Sequence, residues 1–173
     1  MRAGEEKPMF RKTLIALFVA LFAAAMPAFA AGYLKLGDIK GESTDAKHKD
    51  WITIESLAEG IDVPTSASSG AGTARAGKVQ VRPVVITKAI DSTTPHIRQA
   101  ALTGKVQKDA VIEYGDLLVT LKNVTVTSAS SQTIAGKQVE EVTLTATEIT
   151  WSSKSAAGPG RVDATFNLKT GQP

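Results

Sequence analysis

Residues 117–127 read LLVTLKNVTVT, and the apolar positions in this stretch predict a bent β-strand. The apolar side chains change phase along it, from Leu117, Val119 and Leu121 to Val124 and Val126. Successive side chains of a strand point to opposite faces, so a change of phase at Lys122-Asn123 indicates a β-bulge. A bulge bends its strand, and a bent strand suits a barrel better than a flat sheet.

The flanking segments extend this strand into a sheet. Residues 106–114 form a candidate strand that can pair with it through a turn at Gly115-Asp116. Residues 139–151 repeat the change of phase, from Val142, Leu144 and Ala146 to Ile149 and Trp151. Two long bent strands predict a mainly β fold, in the form of a small closed or nearly closed antiparallel β-barrel.

Shorter strands are expected on both sides of this pair. Residues 33–36 and 51–57 alternate apolar and polar positions. Residues 78–90 form another candidate strand, in which Pro83 favours a sheet edge or a bulge. Residues 161–169 alternate without interruption, which predicts a last strand with Val162, Ala164, Phe166 and Leu168 on one face.

One helix is predicted between residues 92 and 104. Ser92, Thr93 or Thr94 can cap its start, and Pro95 fits the first turn. Gly104 provides a C-terminal stop. Its narrow apolar stripe consists of Ile97, Ala100, Ala101 and Leu102.

The first thirty residues have the pattern of a signal peptide. Basic residues precede the apolar run LIALFVALFAAA at 14–25, and Ala28 and Ala30 occupy the two specificity positions of a signal peptidase. The run is shorter than the about 20 residues that span a bilayer, and a buried core helix is the less favoured alternative. We therefore expect a leader at 1–30, from a start at Met1 or Met9, and one domain at 31–173. The mature chain would be periplasmic or secreted.

Charge and cysteine content exclude several classes of function. The chain has 20 Lys and Arg against 17 Asp and Glu, a net charge of +3, and the leader holds two of these net positive charges. The remaining +1 gives no electrostatic footprint for nucleic acid, or for a membrane after leader cleavage. The chain has no cysteine, so disulfides, thiolate catalysis and cysteine-based metal sites are excluded.

No catalytic residue, metal site or cofactor site is predicted, and we do not expect an enzyme. His48 and His96 have no neighbouring ligand at metal spacing, so both are expected to be solvated. Glu140 and Glu141 are adjacent on a strand and would point to opposite faces, which prevents their acting as an acid–base pair. A polar loop carries carboxylates that do not match a calcium-binding loop and are expected to be solvated: Asp38, Glu42, Asp45 and Asp50.

Residues 64–77 read PTSASSGAGTARAG and predict a long flexible loop. The segment contains no large apolar side chain that could anchor it in a core. A loop of this length in a compact domain is usually functional or disordered.

Several motifs resemble, in order and spacing, the haemolysin-coregulated protein (Hcp) family over nearly the whole predicted mature chain. They are YLKL at 33–36, DIKGES at 38–43, a strand ending in Thr87-Lys88, DSTTPHI at 91–97 and GK at 104–105. The last strand is also similar, although Phe166-Asn167 stands where the family usually carries Trp-Asp.

The resemblance implies a barrel with one lateral helix that forms hexameric rings. These would stack into the tube of a type VI secretion system and carry small effector proteins. The implied partners are the chain itself, effectors, and the spike and sheath proteins of the apparatus. The loop at 64–77 falls where the family places an extended loop toward the adjacent ring, so the candidate inter-ring residues are Ser66, Gly70, Gly72, Arg75 and Gly77.

The predicted leader departs from the family pattern, because tube subunits are built in the cytoplasm and need no signal peptide. A second hypothesis is therefore an orphan exported Hcp-like barrel that acts as a periplasmic or extracellular binding module. An exported hydrolase is the least favoured hypothesis, since no catalytic constellation is present.

Overall fold

Strands make up most of the described chain, and one helix interrupts them. The computed structural model describes residues 32–66, 75–76, 79–155 and 160–172. The first strands are β1 (Gly32–Leu36), β2 (Ile52–Ile54), β3 (Ser56–Ala58), β4 (Ile61–Asp62), β5 (Thr65–Ser66), β6 (Arg75–Ala76), β7 (Gln80–Val81) and β8 (Val84–Ala89). The helix α1 (Thr94–Thr103) follows, and then come β9 (Gln107–Tyr114), β10 (Leu117–Ile134), β11 (Lys137–Thr145), β12 (Glu148–Lys154) and β13 (Arg161–Asn167).

The long strand β10 organises the sheet. Its first half pairs with β9 on one side and with β12 on the other, and its second half pairs with β11. Asn123 has a φ of +48°, and Leu121 and Val124 on either side of it are both buried. The phase change predicted at Lys122-Asn123 is therefore confirmed, and so is the hairpin at Gly115-Asp116. The predicted bulge is misplaced, because the register with β9 continues across Asn123 and shifts only between Val126 and Ser128, opposite β11.

The antiparallel pairings follow the path β2-β1-β9-β10-β11-β8-β3, with β12 on β10 and β13 on β12. This confirms the mainly β fold with one helix. The path is open, since its end strands β2 and β3 do not pair with each other, so barrel closure stays a prediction.

Three predicted strands are each divided in two. The segment 51–57 breaks at Glu55, and 78–90 breaks at Arg82-Pro83, where proline removes a ladder hydrogen bond. The segment 139–151 breaks between β11 and β12, although both pieces lie along the same side of β10. The break lies opposite Asn123, whose side-chain amide donates to the Thr147 hydroxyl at 2.9 Å. The two phase changes read from the sequence therefore mark one bend shared by neighbouring strands.

The helix packs on the sheet through a narrower face than predicted. Thr94, Ile97 and Ala100 are buried, and Gly104 ends the helix at a φ of +62°, where a glycine avoids strain. Leu102, predicted in the apolar stripe, is 88% exposed. It follows Ile97 by five residues, which places it on the other side of a helix with 3.6 residues per turn.

The alternating apolar face of the last strand reaches the core only at its C-terminal end, where Phe166 and Leu168 pack against the core cluster. β13 pairs only with β12, and Val162 on it is 67% exposed, whereas Phe166 is half-buried. β13 is an edge strand that joins the sheet only through β12. Alternation in the sequence does not show whether other residues pack against its apolar side chains. The buried apolar cluster instead involves the strands of the main path and β12, with Leu34, Ile54, Ile86, Ile112, Leu121, Leu144 and Ile149 among its members.

Candidate functional site

The segment at 64–77 has paired backbone at its base. Ile61 pairs with Val81, and then Ser66 pairs with Arg75, both in antiparallel register. The prediction of a flexible loop is therefore wrong at the two ends of this segment, where β5 pairs with β6. The two antiparallel pairs, β4 with β7 and β5 with β6, are here called the arm. For Ser66 and Arg75 the structure describes the backbone pairing. Gly70, Gly72 and Gly77 lie outside the described residues, as do Ala28 and Ala30.

A buried ion pair lies beneath the start of the helix. Lys88 on β8 and Glu140 on β11 both have fully buried side chains, and their charged atoms are 3.4 Å apart. The Lys88 ammonium also donates to the Asp91 carboxylate at 2.9 Å and to the Ala89 carbonyl at 2.7 Å. A buried charge is tolerated only when it is paired and hydrogen-bonded, and Lys88 meets both conditions.

Asp91 connects this ion pair to the start of the helix. Its carboxylate accepts hydrogen bonds from the backbone N–H of Thr93 at 2.8 Å and from the Thr93 hydroxyl at 2.6 Å. Burial opposes ionisation, but the hydrogen bonds from Lys88 and Thr93 outweigh it and hold the pKa of Asp91 below its ordinary value. Thr93 occupies the predicted N-cap position without capping through its side chain, so Asp91 organises this turn instead.

Glu140 ties the helix to the sheet. One of its carboxylate oxygens accepts from the Thr94 hydroxyl at 3.1 Å, and the other pairs with the Arg98 guanidinium at 3.1 Å. Arg98 in turn reaches the Ser131 hydroxyl on β10. Among the described residues no buried side-chain nitrogen or oxygen lacks a partner. The arrangement connects α1 to β8, β10 and β11.

His48 forms a second cluster against β1 and β9. Its imidazole stacks on Tyr33, with ring centroids 4.1 Å apart and planes 3° from parallel, and it meets Trp51 edge-on at 5.0 Å. Nδ1 lies 2.7 Å from the Asp45 carboxylate, and Nε2 lies 3.0 Å from that of Glu113. The expectation of a solvated His48 is wrong, since the residue is only 8% exposed.

Both ring nitrogens of His48 face carboxylates, which accept hydrogen bonds and cannot donate them when ionised. Burial lowers the pKa of His48, but the hydrogen bonds to Glu113 and Asp45 outweigh it, and the net result is a raised pKa. The hydrogen bond from His48 correspondingly lowers the pKa of Asp45. The cluster attaches the polar loop 43–50 to β1 and β9.

Both clusters consist of side chains that pair with one another through ion pairs and hydrogen bonds. His96 is exposed on the helix, as predicted. Within the described ranges, no group of three or more histidine, aspartate or glutamate side chains is placed to hold a metal ion. The described part of the chain also contains no helix long and apolar enough to cross a bilayer. The two polar clusters attach the helix α1 and the loop 43–50 to the sheet.

Comparison with known proteins identifies the scaffold. Residues 33–152 match the family described as "Type VI secretion system effector, Hcp". The chain is 34% identical over 125 residues to protein hcp1 of Pseudomonas aeruginosa, an alignment that covers 65% of this chain and 75% of that protein. The chain belongs to the Hcp family.

Solved Hcp structures agree with the fold. The crystal structure of Hcp1 from Salmonella typhimurium superposes with a TM-score of 0.68 at 23% identity, over 82% of this chain and 97% of that one. A second structure, described as a type six secretion system protein, gives a TM-score of 0.73 at 23% identity, over 82% and 98% of the two chains. At these identities the likeness concerns the fold.

The match to the Hcp family runs from β1 into β12 and includes both polar clusters, whereas β13 lies beyond it. The family assignment made from the sequence is confirmed. The Hcp motifs already contained Lys88 and Asp91, but nothing in the sequence marked Glu140 as their partner. A glutamate on a strand is usually solvated, and Glu140 meets Lys88 only because β8 and β11 pair in this register.

Proposed function

We propose that this Hcp chain is a structural, non-catalytic tube subunit that forms hexameric rings, and that the rings stack head to tail. The family match across residues 33–152 carries this proposal. A ring of identical subunits requires a head-to-tail interface that closes after a fixed number of copies. The Lys88 and His48 clusters and the buried apolar core provide a rigid subunit. A ring requires this rigidity because every subunit must form the same interface.

We also propose that the sheet closes into a barrel at Glu55. β2 pairs with β1 and β3 pairs with β8, and only Glu55 separates these two short strands. The Glu55 N–H donates to the Thr87 carbonyl at 2.7 Å, which supports continuity between the two ends of the path. A kinked strand 52–58 would then join them, as barrel closure requires.

The arm is the proposed contact between stacked rings. Residues 61–64 at its described base are exposed, so they are available for contacts outside the subunit, whereas Val81 on the paired strand packs against the core. Antiparallel pairing of β4 with β7 and of β5 with β6 holds the two sides of the arm together. The proposed contact residues are Ser66, Gly70, Gly72, Arg75 and Gly77.

We propose separately that the leader at 1–30 is cleaved after Ala30, which leaves a domain at 31–173. The leader pattern favours the second candidate function, an orphan Hcp-like barrel that binds a partner in the periplasm or outside the cell. The two functions differ in how the chain leaves the cell. A tube subunit depends on the contractile apparatus, whereas an orphan module depends on signal peptidase and the general export pathway alone.

Two measurements test the proposal. Sedimentation velocity of the mature chain purified from its own host should give a species of six subunits, and a strict monomer would contradict the ring. The amount of chain in the medium should then fall when the sheath gene of the host is deleted. Unchanged export in that strain would favour the orphan module.

A further inference from the structure

A groove runs along the side of the helix, between α1 and the turns at 37–40 and 104–107. It has a volume of about 560 Å³ and is open to solvent, and a second depression of about 410 Å³ continues it. The two share Asp38, Lys105 and Gln107, so together they form one elongated trough. The helix contributes one face to it, through His96, Gln99, Ala100 and Thr103.

The charged and amide side chains of the groove are unpaired. Within the described residues, Asp38, Lys40 and Lys105 form no ion pair. The side chains of His96, Gln99 and Gln107 likewise make no hydrogen bond there. The two depressions together are lined by four lysines and two aspartates, so the groove favours an anionic occupant: Lys35, Lys40, Lys105 and Lys108 against Asp38 and Asp109.

Gln107 is the most informative of these residues, because it is only 3% exposed. A buried side-chain amide normally has hydrogen-bond partners, and this one has none in the described chain. Since no fully enclosed polar atom is unpartnered, the Gln107 oxygen and nitrogen each keep some exposure, and Gln107 lines both depressions. Gly37, at a φ of +50°, lies against the side chain, because a Cβ there would be 2.3 Å from the Gln107 oxygen. The amide is thus packed against Gly37 and has no hydrogen-bond partner in the described chain.

We propose that this groove binds an extended acidic segment of a partner protein. A carboxylate side chain would pair with Lys40 and Lys105, and the Gln107 amide would donate to and accept from the backbone of the segment. Ile39 and the half-exposed Val106 offer apolar contacts next to the charges. The open, elongated shape fits a polypeptide better than a small enclosed metabolite. This site is separate from the arm and does not depend on ring stacking.

Fluorescence anisotropy of labelled peptides on the full-length chain tests the proposal. The acidic peptide GEVEVEG should bind saturably, and the neutral peptide GQVQVQG should bind about tenfold more weakly because it lacks the carboxylates. Lys105→Glu should weaken the acidic peptide by about tenfold, whereas Lys169→Glu, the same change on an exposed residue outside the groove, should have less than about a twofold effect. Gln107→Leu should weaken both peptides alike, since it removes the amide and no charge.

Thermal melting of each variant shows whether it is folded, and only variants with a normal transition are compared. Three results would overturn the proposal. They are the absence of saturable binding at millimolar chain, an equal loss in Lys169→Glu and Lys105→Glu, and competition by free glutamate as strong as that by the peptide. The second would indicate attraction by overall charge, and the third a site for small anions.

Discussion

Replacing Lys88 by methionine removes the cation at the centre of the buried network and retains much of the side-chain volume. Glu140, fully buried, would keep only Arg98 and Thr94 as partners, and Asp91 would lose its bond at 2.9 Å. Breaking a buried ion pair typically costs about 3–5 kcal/mol in the free energy of unfolding. Because Arg98 stays 3.1 Å from Glu140, we expect the lower end, about 3 kcal/mol.

Urea denaturation followed by circular dichroism, at one fixed protein concentration, measures this loss. For a chain of this size it corresponds to a decrease of about 10 °C in melting temperature. Glu141→Gln is the matched control, since this neighbour of Glu140 makes only a weak exposed hydrogen bond to Gln132, and it should change stability by less than about 0.5 kcal/mol.

A double variant separates the buried charge from simple loss of packing. Lys88→Met combined with Glu140→Gln removes both charges, so it should be less destabilised than the sum of the two single variants. The reasoning would be refuted if Lys88→Met cost less than about 1 kcal/mol, or if the two single losses were additive.

Three further predictions concern the His48 cluster, the arm and the leader. The raised pKa of His48 means that its stabilisation is complete below its ordinary value of 6.5 and is lost as pH rises through the raised pKa. Urea unfolding should show a lower free energy of unfolding at pH 9 than at pH 6 in the native chain, and a smaller difference in His48→Gln. An equal difference in both chains would mean that another titrating group causes it. Replacing residues 66–74 by a short Gly-Ser link should leave the melting temperature nearly unchanged and preserve rings, while electron microscopy should show fewer stacks. Unfolding of that variant, or unaltered stacking, would contradict the proposed role of the arm. Mass spectrometry of the chain from its host should find an amino terminus at Ala31. The double variant Ala28→Arg, Ala30→Arg should retain the leader. An intact amino terminus on the native soluble chain would contradict cleavage.

The two polar clusters explain how a small barrel-like subunit without disulfides keeps its helix and its long polar loop in place. The Lys88 network fixes α1 against β8 and β11, and the His48 cluster fixes loop 43–50 against β1 and β9. Each cluster joins segments far apart in the sequence, which restrains the subunit more than a local contact would. Such restraint suits a protein that must repeat the same interface in every ring.

The sequence alone determined the features that depend on neighbouring residues. The helix lies at Thr94–Thr103 because Pro95 and Gly104 act within one turn of its ends. The hairpin at Gly115-Asp116 and the bend at Asn123 are likewise local, since a turn and a change of alternation involve only a few consecutive residues. The order of the motifs was sufficient to indicate the family.

Only the tertiary structure decided which polar and apolar side chains are buried. His48 was expected in solvent, but Glu113, which is 65 residues away, meets its imidazole when β1 and β9 pair. Glu140 reaches Lys88 across 52 residues by the pairing of β8 with β11. On β13, Val162 is exposed whereas Phe166 packs against the core, although both lie in the same alternating pattern. Burial is set by what packs against a residue, and those neighbours come from distant parts of the chain that no local pattern identifies.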